Sequence, residues 1–238
     1  MITVILNCYK RPEYLKEQIE AIKNQSVPID EIMVWSNKPE DGTQYNIDDL
    51  GVKVAYSNTN FKFHARFAYG LLAKSKYVAF FDDDTIPGVD WFKNCISSMG
   101  KNEYILGTSG VRLESEYYDP HKKFGWNGVH TNKLEFVDLV GHAWFMKRST
   151  LKYLWEETPI SWDNGEDIQL SAFAYMYGGI LTAVPPHPED KVNLWGSTQG
   201  LAKGNDKNAS HWKSNHAPLR NEICKTLSDK GYKRVLIR

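Results

Sequence analysis

Residues 77 to 81, Tyr-Val-Ala-Phe-Phe, run straight into three carboxylates, Asp82-Asp83-Asp84, and then into Thr85. The apolar run is short, aromatic and partly β-branched, the pattern of a buried strand rather than a helix. Adjacent carboxylates repel one another unless something positive neutralises them. In an extended chain side chains alternate, so Asp82 and Asp84 are expected on one side and Asp83 on the other. One or two oxygen ligands offered in this way suit a hard cation, Mg²⁺ or Mn²⁺, that keeps positions open for water and substrate phosphates. The end of a buried strand is also where open α/β sheets place their ligands. The competing account is a solvated acidic turn capping a helix that begins near Val89. One acidic residue would satisfy that account, and three exceed its needs. An EF-hand is excluded, because a loop begun at Asp82 has no glycine at its sixth position and no glutamate at its twelfth.

A second acidic pair, Glu166-Asp167, follows Asn164-Gly165 at the start of a helical pattern through Leu170, Phe173, Ala174 and Tyr177. Acidic residues complement the macrodipole at a helix N-terminus, but one carboxylate suffices for that. A pair lets one side chain hold structure while its neighbour faces a cleft as a general base, which must reach a substrate hydroxyl.

Elements that would position these groups alternate along the first hundred residues. Strands are expected at 2–6, 31–36, 52–56 and 77–81, with helices at 12–24 and 64–74. Such alternation predicts a mostly parallel α/β sheet flanked by helices. Polar residues sit just past each strand: Asn7 and Tyr9, Asn37, Asn58, then the aspartates. In a parallel sheet these ends converge on one edge. Arg66, at the start of the helix before the acidic strand, is a candidate cation for phosphate, against the commoner fate of a surface salt bridge. No glycine-rich phosphate loop of either common type is present, so phosphate charge has to be met by other means. The second half is less regular. It predicts a helix at 91–99, a strand at 104–106, a hairpin or mobile loop at 112–135 and an apolar stretch at 136–146. A short helix at 149–155, a strand at 180–184, a flexible loop at 193–210 and a helix at 218–230 complete it.

The 238 residues carry 29 Lys and Arg against 29 Asp and Glu, so no global field favours nucleic acid or an anionic membrane. From Lys203 to Arg238, however, nine basic residues face three acidic ones, a balance that suits either phosphate binding or a solvated final helix. Three scattered cysteines match no metal spacing and suggest a reducing compartment. The chain opens on a strand rather than a signal peptide, and no apolar run reaches the length of a membrane span. The expectation is a soluble, cytoplasmic protein without a membrane anchor.

Four segments together resemble glycosyltransferases of the GT-A fold. They are Thr3-Val-Ile-Leu-Asn-Cys-Tyr-Lys-Arg-Pro12, Asp82-Asp83-Asp84-Thr85, Val140-Gly-His-Ala-Trp-Phe145 and Gly165-Glu-Asp-Ile-Gln-Leu170, in that order. The chain looks most like the catalytic domain of exostosin-like enzymes, which share these features and a C-terminal Trp-then-His-then-Arg helix, here Trp212, His216 and Arg220. The resemblance implies one catalytic domain, with a nucleotide-sugar half at 1–100 and an acceptor half at 101–238. It implies transfer of a sugar from a UDP-sugar to a hydroxyl of a glycan or glycoconjugate acceptor, with Mn²⁺ or Mg²⁺. Carried over, Asn7, Tyr9, Arg11 and Asn37 line the nucleotide, and Arg66 and Asp83 hold uridine or donor sugar. Asp84 with Asp82 takes the metal, and Asp167, beside Glu166, lies near the acceptor hydroxyl. Lys213 or Arg220 answers the charge that develops on the leaving phosphate. The chain departs from the pattern at His142, which stands where the family runs glycine into alanine, and at Lys213, one position out.

His187, His211 and His216 are candidate third metal ligands, although imidazole suits Mg²⁺ and Mn²⁺ less well than oxygen. Trp126, Trp144, Trp162 and Trp195 are candidate platforms for acceptor sugars, with core burial as the alternative. Two other readings compete. A sugar-phosphate nucleotidyltransferase would want a glycine-rich, arginine-bearing loop where Asn7-Cys-Tyr-Lys-Arg11 stands. A non-catalytic nucleotide-sugar or glycan-binding module would keep the fold without the activity.

Overall fold

The computed structural model describes residues 1–126, 128–206 and 209–238. Nine strands are recorded: β1 (Ile2–Cys8), β2 (Glu31–Ser36), β3 (Lys53–Tyr56), β4 (Tyr77–Phe81), β5 (Tyr104–Leu113), β6 (His121–Phe124), β7 (Glu135–Val137), β8 (Leu139–Lys147) and β9 (Leu181–Val184). The α-helices are α1 (Leu15–Lys23), α2 (His64–Gly70), α3 (Trp91–Met99), α4 (Glu166–Gly178) and α5 (His216–Asp229). One sheet takes all the strands in the order β3-β2-β1-β4-β8-β5-β9-β7, with β6 paired on β5. β1 to β4 are mutually parallel. β8 runs against β4 and against β5, which restores the direction of β5, and β9 is parallel to β5. Six strands therefore run one way and β6, β7 and β8 the other, the mixed, mostly parallel GT-A arrangement.

The central strands are apolar on both faces because helices cover both. Successive residues of β4 serve opposite layers: Phe81 joins Val4, Leu6 and Phe145 beneath α1 and α3, while Phe80 joins Ile5, Trp144 and Leu170 beneath α2 and α4. α4 is buried from Glu166 through Ala174, with apolar residues all round. A third cluster, including Phe173, Ile223 and Leu227, fastens α5 onto α4.

Three expectations change. The helix expected over 64–74 stops at Gly70, which sits so close to Phe80 that a Cβ there would lie 2.6 Å from the ring. β5 extends to Leu113 rather than ending at 106, and pairs with β6 inside the stretch expected as a hairpin or mobile loop. The strand was hidden because it contains Gly107 and Gly110, poor strand formers on propensity. Both are forced by packing, since a Cβ on Gly107 would lie 2.3 Å from Val140 Cβ. The loop expected at 193–210 contains short 3₁₀ turns at Gly200–Ala202 and Ser210–Trp212, and its residues 207 and 208 lie outside the described ones. No helix of the described residues is long and apolar enough to cross a membrane.

Candidate active site

The acidic turn begins where β4 ends. Phe81 pairs with Ala143 of β8, so the next residue along meets His142, and the Asp82 N–H donates to the His142 carbonyl at 2.9 Å. The turn is pinned from behind by Gln18 of α1. Its side-chain amide donates to the carbonyls of Asp82 (2.7 Å) and Thr85 (2.8 Å). The Thr85 hydroxyl donates to Asp84 at 3.1 Å. The capping account fails, because α3 takes Asp90, not an aspartate of the triplet, as its N-cap.

Asp82, Asp84 and His142 each present one ligand atom, all within 4.8 Å of one another. His142 Nδ1 is buried with no hydrogen-bond partner, and the residue holds a left-handed backbone (φ 64°), a conformation costly for a side chain of its size. A ligand set of two carboxylates and one imidazole suits Mn²⁺ or Mg²⁺ with positions left for phosphate oxygens, and the orphaned Nδ1 lacks the partner such an ion would supply. The expected alternation holds in part. Asp83 turns to Arg11 at 2.8 Å, but Asp84 also reaches it at 3.2 Å, because the triplet lies on a turn rather than in the strand. None of His187, His211 and His216 joins this group. His187 stacks on Trp195, His211 is exposed, and His216 lies 3.3 Å from the Asn164 amide.

Three buried arginines organise the carboxylates. Arg11 binds Asp83, Asp84 and, at 3.0 and 2.8 Å, Asp206. It also donates to the Gly204 carbonyl at 3.3 Å. Gly204 lies directly on Asp84: a Cβ there would be 2.1 Å from Asp84 Oδ2. Arg66, 2% exposed, donates to Asp82 and lies 3.4 Å from Glu166, under the face of Trp144. It therefore ties the acidic turn to the second acidic pair. Arg220 grips Asp167 with both terminal nitrogens (3.1 and 2.7 Å) and reaches Asn164 at 2.9 Å. Its charge is committed to Asp167 rather than presented to a phosphate.

Five carboxylates (Asp82, Asp83, Asp84, Glu166 and Asp167) thus surround three guanidiniums (Arg11, Arg66 and Arg220), before Asp206 is added. Burial pushes the Asp83 carboxyl up to about 7, against the pull of Arg11 and with the push of Asp84. Burial, then repulsion from Asp167, pushes Glu166 up as well, with Arg66 and Arg220 opposing. A bound divalent ion would relieve this excess of negative charge.

The other expected residues are placed as follows. Asn7 is half-buried with an unpartnered Oδ1. Tyr9 donates its hydroxyl to Glu40. Asn37 is fully engaged in shaping the loop after β2: its Oδ1 accepts from Trp35 Nε1 (2.9 Å) and the Phe61 N–H (3.1 Å), and its amide donates to the Lys62 carbonyl (3.0 Å). Lys213 is exposed, beside the turn that precedes α5, and forms no ion pair among the described residues. Sequence reasoning missed Gln18, Asn164 and Asp206, and counted His142 only as a departure. Gln18 had a signal, a polar residue on the apolar face of α1 between Leu15, Ile19 and Ile22, and it is completely buried. Asn164 and Asp206 had none.

No curated protein matches the chain by sequence. The chain is similar in structure to crystal structures of S. aureus TarS, at TM-score 0.58 and 16% identity over 78% of this chain and 35% of that one. It is also similar to TarS 1–349 in complex with UDP-GlcNAc (TM-score 0.54, 17% identity, 78% and 56% covered) and with UDP (0.57, 17%, 78% and 57%). The chain thus spans between 35% and 57% of the length of these structures, and at such identities the likeness speaks for the fold. The family profile described as Glycosyl transferase family 2 matches residues 3–155, from β1 through the acidic turn to the helix after β8. With well over half of its length matched, and the acidic turn inside the match, the chain belongs to glycosyl transferase family 2.

Proposed function

We propose that the protein transfers a glycosyl group from a UDP-sugar to a hydroxyl of a glycan or glycoconjugate acceptor, with Mn²⁺ or Mg²⁺ held by Asp82, Asp84 and His142. The observation that carries this reading is the bridge made by Arg66. It joins a ligand trio with an orphaned imidazole nitrogen to an acidic pair on a different element, 100 residues away in sequence for the Arg66–Glu166 contact. The similar TarS structures in complex with UDP-GlcNAc and UDP support the choice of donor.

The ion would supply Lewis-acid charge at the leaving diphosphate. Asn7, with its unpartnered carbonyl oxygen, and Tyr9 would line the uridine on the β1 side, with Asn37 holding the loop behind them. Arg11 and Asp83 would border the donor, and Lys213, exposed and in no ion pair among the described residues, would meet the leaving phosphate. Asp167 accepts the proton of the acceptor hydroxyl as the new glycosidic bond forms. Arg220, itself steadied by donating to Asn164 Oδ1, holds that carboxylate in one orientation, and Glu166 keeps Arg66 in register with the acidic turn. The donor half is 1–100 and the acceptor half 101–238, as one catalytic unit.

UDP release from a panel of UDP-sugars, with and without Mn²⁺, tests this. Wild type should release UDP only with the ion. Asp84→Ala should lower the rate by at least about a hundredfold. Asp167→Asn should lower it by about a hundred- to ten-thousandfold while UDP still binds. Ion-independent release, or full activity in Asp84→Ala, would overturn the assignment.

A further inference from the structure

A cavity of about 370 Å³ lies beyond the acidic turn along the sheet, lined by Trp126, His130, His187, Trp195 and the 197–200 segment. Its size is within the range of small-ligand sites. It adjoins the candidate metal trio on two sides. The Trp126 indole stacks on the His142 imidazole, with ring centroids 4.2 Å apart and planes at 9°. The segment that forms its floor runs on from Gly200 to Gly204, which lies on Asp84.

The chemistry of the wall is distinctive. Among the described residues it has no Lys, Arg, Asp or Glu. Burial, then mutual repulsion with the neighbouring His130 ring, lowers His187 to about 4, so that ring is uncharged at neutral pH. Such a wall repels neither sign strongly and favours a neutral ligand. Aromatic rings make up one side. His187 stacks on Trp195 at 4.4 Å, and His130 lies 5.1 Å from Trp195. Hydroxyls and an amide make up the other, through Ser197, Thr198 and Gln199. Ser197 is 2% exposed and its hydroxyl has no partner, as has His130 Nδ1. Buried polar groups without partners are rare in a folded chain and point to a ligand that satisfies them.

The 186–198 side of the wall is tied down by hydrogen bonds before any ligand arrives. Trp195 Nε1 donates to the Pro188 carbonyl at 2.7 Å, the Thr198 N–H donates to Ile86 at 2.8 Å, and Asn94 holds the carbonyls of Pro186 and Leu194. Position in the sheet narrows the ligand further. The residues proposed for uridine follow β1 and β2, on one side of β4. The cavity is built from residues that follow β6 and β9, across β8 and β5 on the other side. A nucleobase held at β1 is therefore remote from it in the order of strands, and the neighbour of a diphosphate on this side is a sugar.

We infer that this cavity is a binding site for an uncharged saccharide ring, stacked on Trp195, bounded by Trp126 and hydrogen-bonded to Ser197 and His130. A pyranose matches the wall, since it has an apolar C–H face for aromatic rings and hydroxyls on its rim for Ser197 and His130. The inference rests on the glycosyl-transfer reading for its meaning, but its test does not. The ring has two possible sources, an acceptor glycan or the glycosyl group of the donor.

Saturation-transfer NMR on the full chain, with methyl glycosides of glucose, galactose and N-acetylglucosamine and without nucleotide, measures saccharide binding directly. Calorimetry with UDP and with the matching UDP-sugars, plus Mn²⁺, measures the donor in parallel. Gln199→Trp fills the cavity from its half-exposed rim without disturbing the core, and Trp195→Ala removes the platform. Each should weaken saccharide recognition by about tenfold while UDP binding stays within about twofold of wild type. Loss of the free glycoside signal with unchanged UDP-sugar affinity assigns the ring to the acceptor. Loss of the preference for UDP-sugar over UDP assigns it to the donor. If wild type shows neither a glycoside signal nor that preference, or if Gln199→Trp retains both at wild-type strength, the cavity is not a saccharide site. Failure of UDP and Mn²⁺ to bind, with a glycoside signal intact, would instead overturn the proposed function and leave this site standing.

Discussion

Arg11 and Arg220 are both buried arginines fixed on aspartates, yet they sit in opposite electrostatic situations. Arg220 meets Asp167 one to one, with two hydrogen bonds between fork and carboxylate, and Asn164 completes the set. Arg11 is divided among Asp83, Asp84 and Asp206, and Asp82 lies just beyond it on Arg66. The first cluster is balanced in charge, with only Arg220 Nε left without a hydrogen-bond partner among its described atoms, and suits holding one carboxylate in one orientation. The second has more negative charge than its guanidinium can answer, and His142 Nδ1 beside it, 3.8 Å from Asp82 Oδ2, has no hydrogen-bond partner. A chain that folds with such a deficit is poised for a cation, whereas a balanced pair has no use for one. The difference separates a group that acts on a proton from a group that holds an ion.

The contrast can be broken first at Arg220. Arg220→Leu leaves Asp167 buried and unpaired, so stability should fall by about 3–5 kcal/mol in urea unfolding, with no recovery on adding Mn²⁺. Arg11→Leu also strips carboxylates of their partner, but there Mn²⁺ should raise the midpoint again, by mass action on the folded state. Equal responses of the two variants to Mn²⁺ would remove the distinction drawn here.

A smaller effect is expected behind the acidic turn. Gln18→Leu leaves the Asp82 and Thr85 carbonyls without their buried donor, at a cost of about 1–3 kcal/mol. Because the turn would lose its backing, Mn²⁺ affinity measured by calorimetry should weaken as well, while the Asp167–Arg220 pair is untouched. A variant with lower stability but unchanged ion affinity would mean that Gln18 serves the fold and not the site.

The last effect is a slope. Burial raises the Glu166 carboxyl from 4.5 to about 7, so between those values the folded chain keeps a proton that the unfolded chain has released. Stability from this group is fully present below the unfolded value and is lost as pH rises towards 7. Glu166→Gln should flatten that part of the profile of Tm against pH, read between about pH 5 and about pH 7. An unchanged slope would place the titration elsewhere in the cluster.

Local pattern alone determined a good deal. The apolar run that ends in Asp82-Asp83-Asp84, the parallel strands of the first hundred residues, and the acidic pair at the start of α4 each depend on neighbours within a few positions. Hydrophobic period, turn residues and helix-start chemistry act over that distance, so the parallel part of the sheet and both acidic clusters were legible. Tertiary structure decided the partners. His142 faces Asp82 only because Phe81 is in register with Ala143. Arg220 was free to meet a phosphate until α5 packed on α4 and turned it onto Asp167. Gln18 and Asp206 reach the turn and Arg11 across 64 and 195 positions. β5 stayed hidden because its glycines are dictated by side chains on other strands, Val140 at Gly107 and Val184 and Val137 at Gly110, and not by their neighbours in the chain. Pairing at such separations is fixed by which surfaces pack together, a property of the whole fold that no short window of sequence contains.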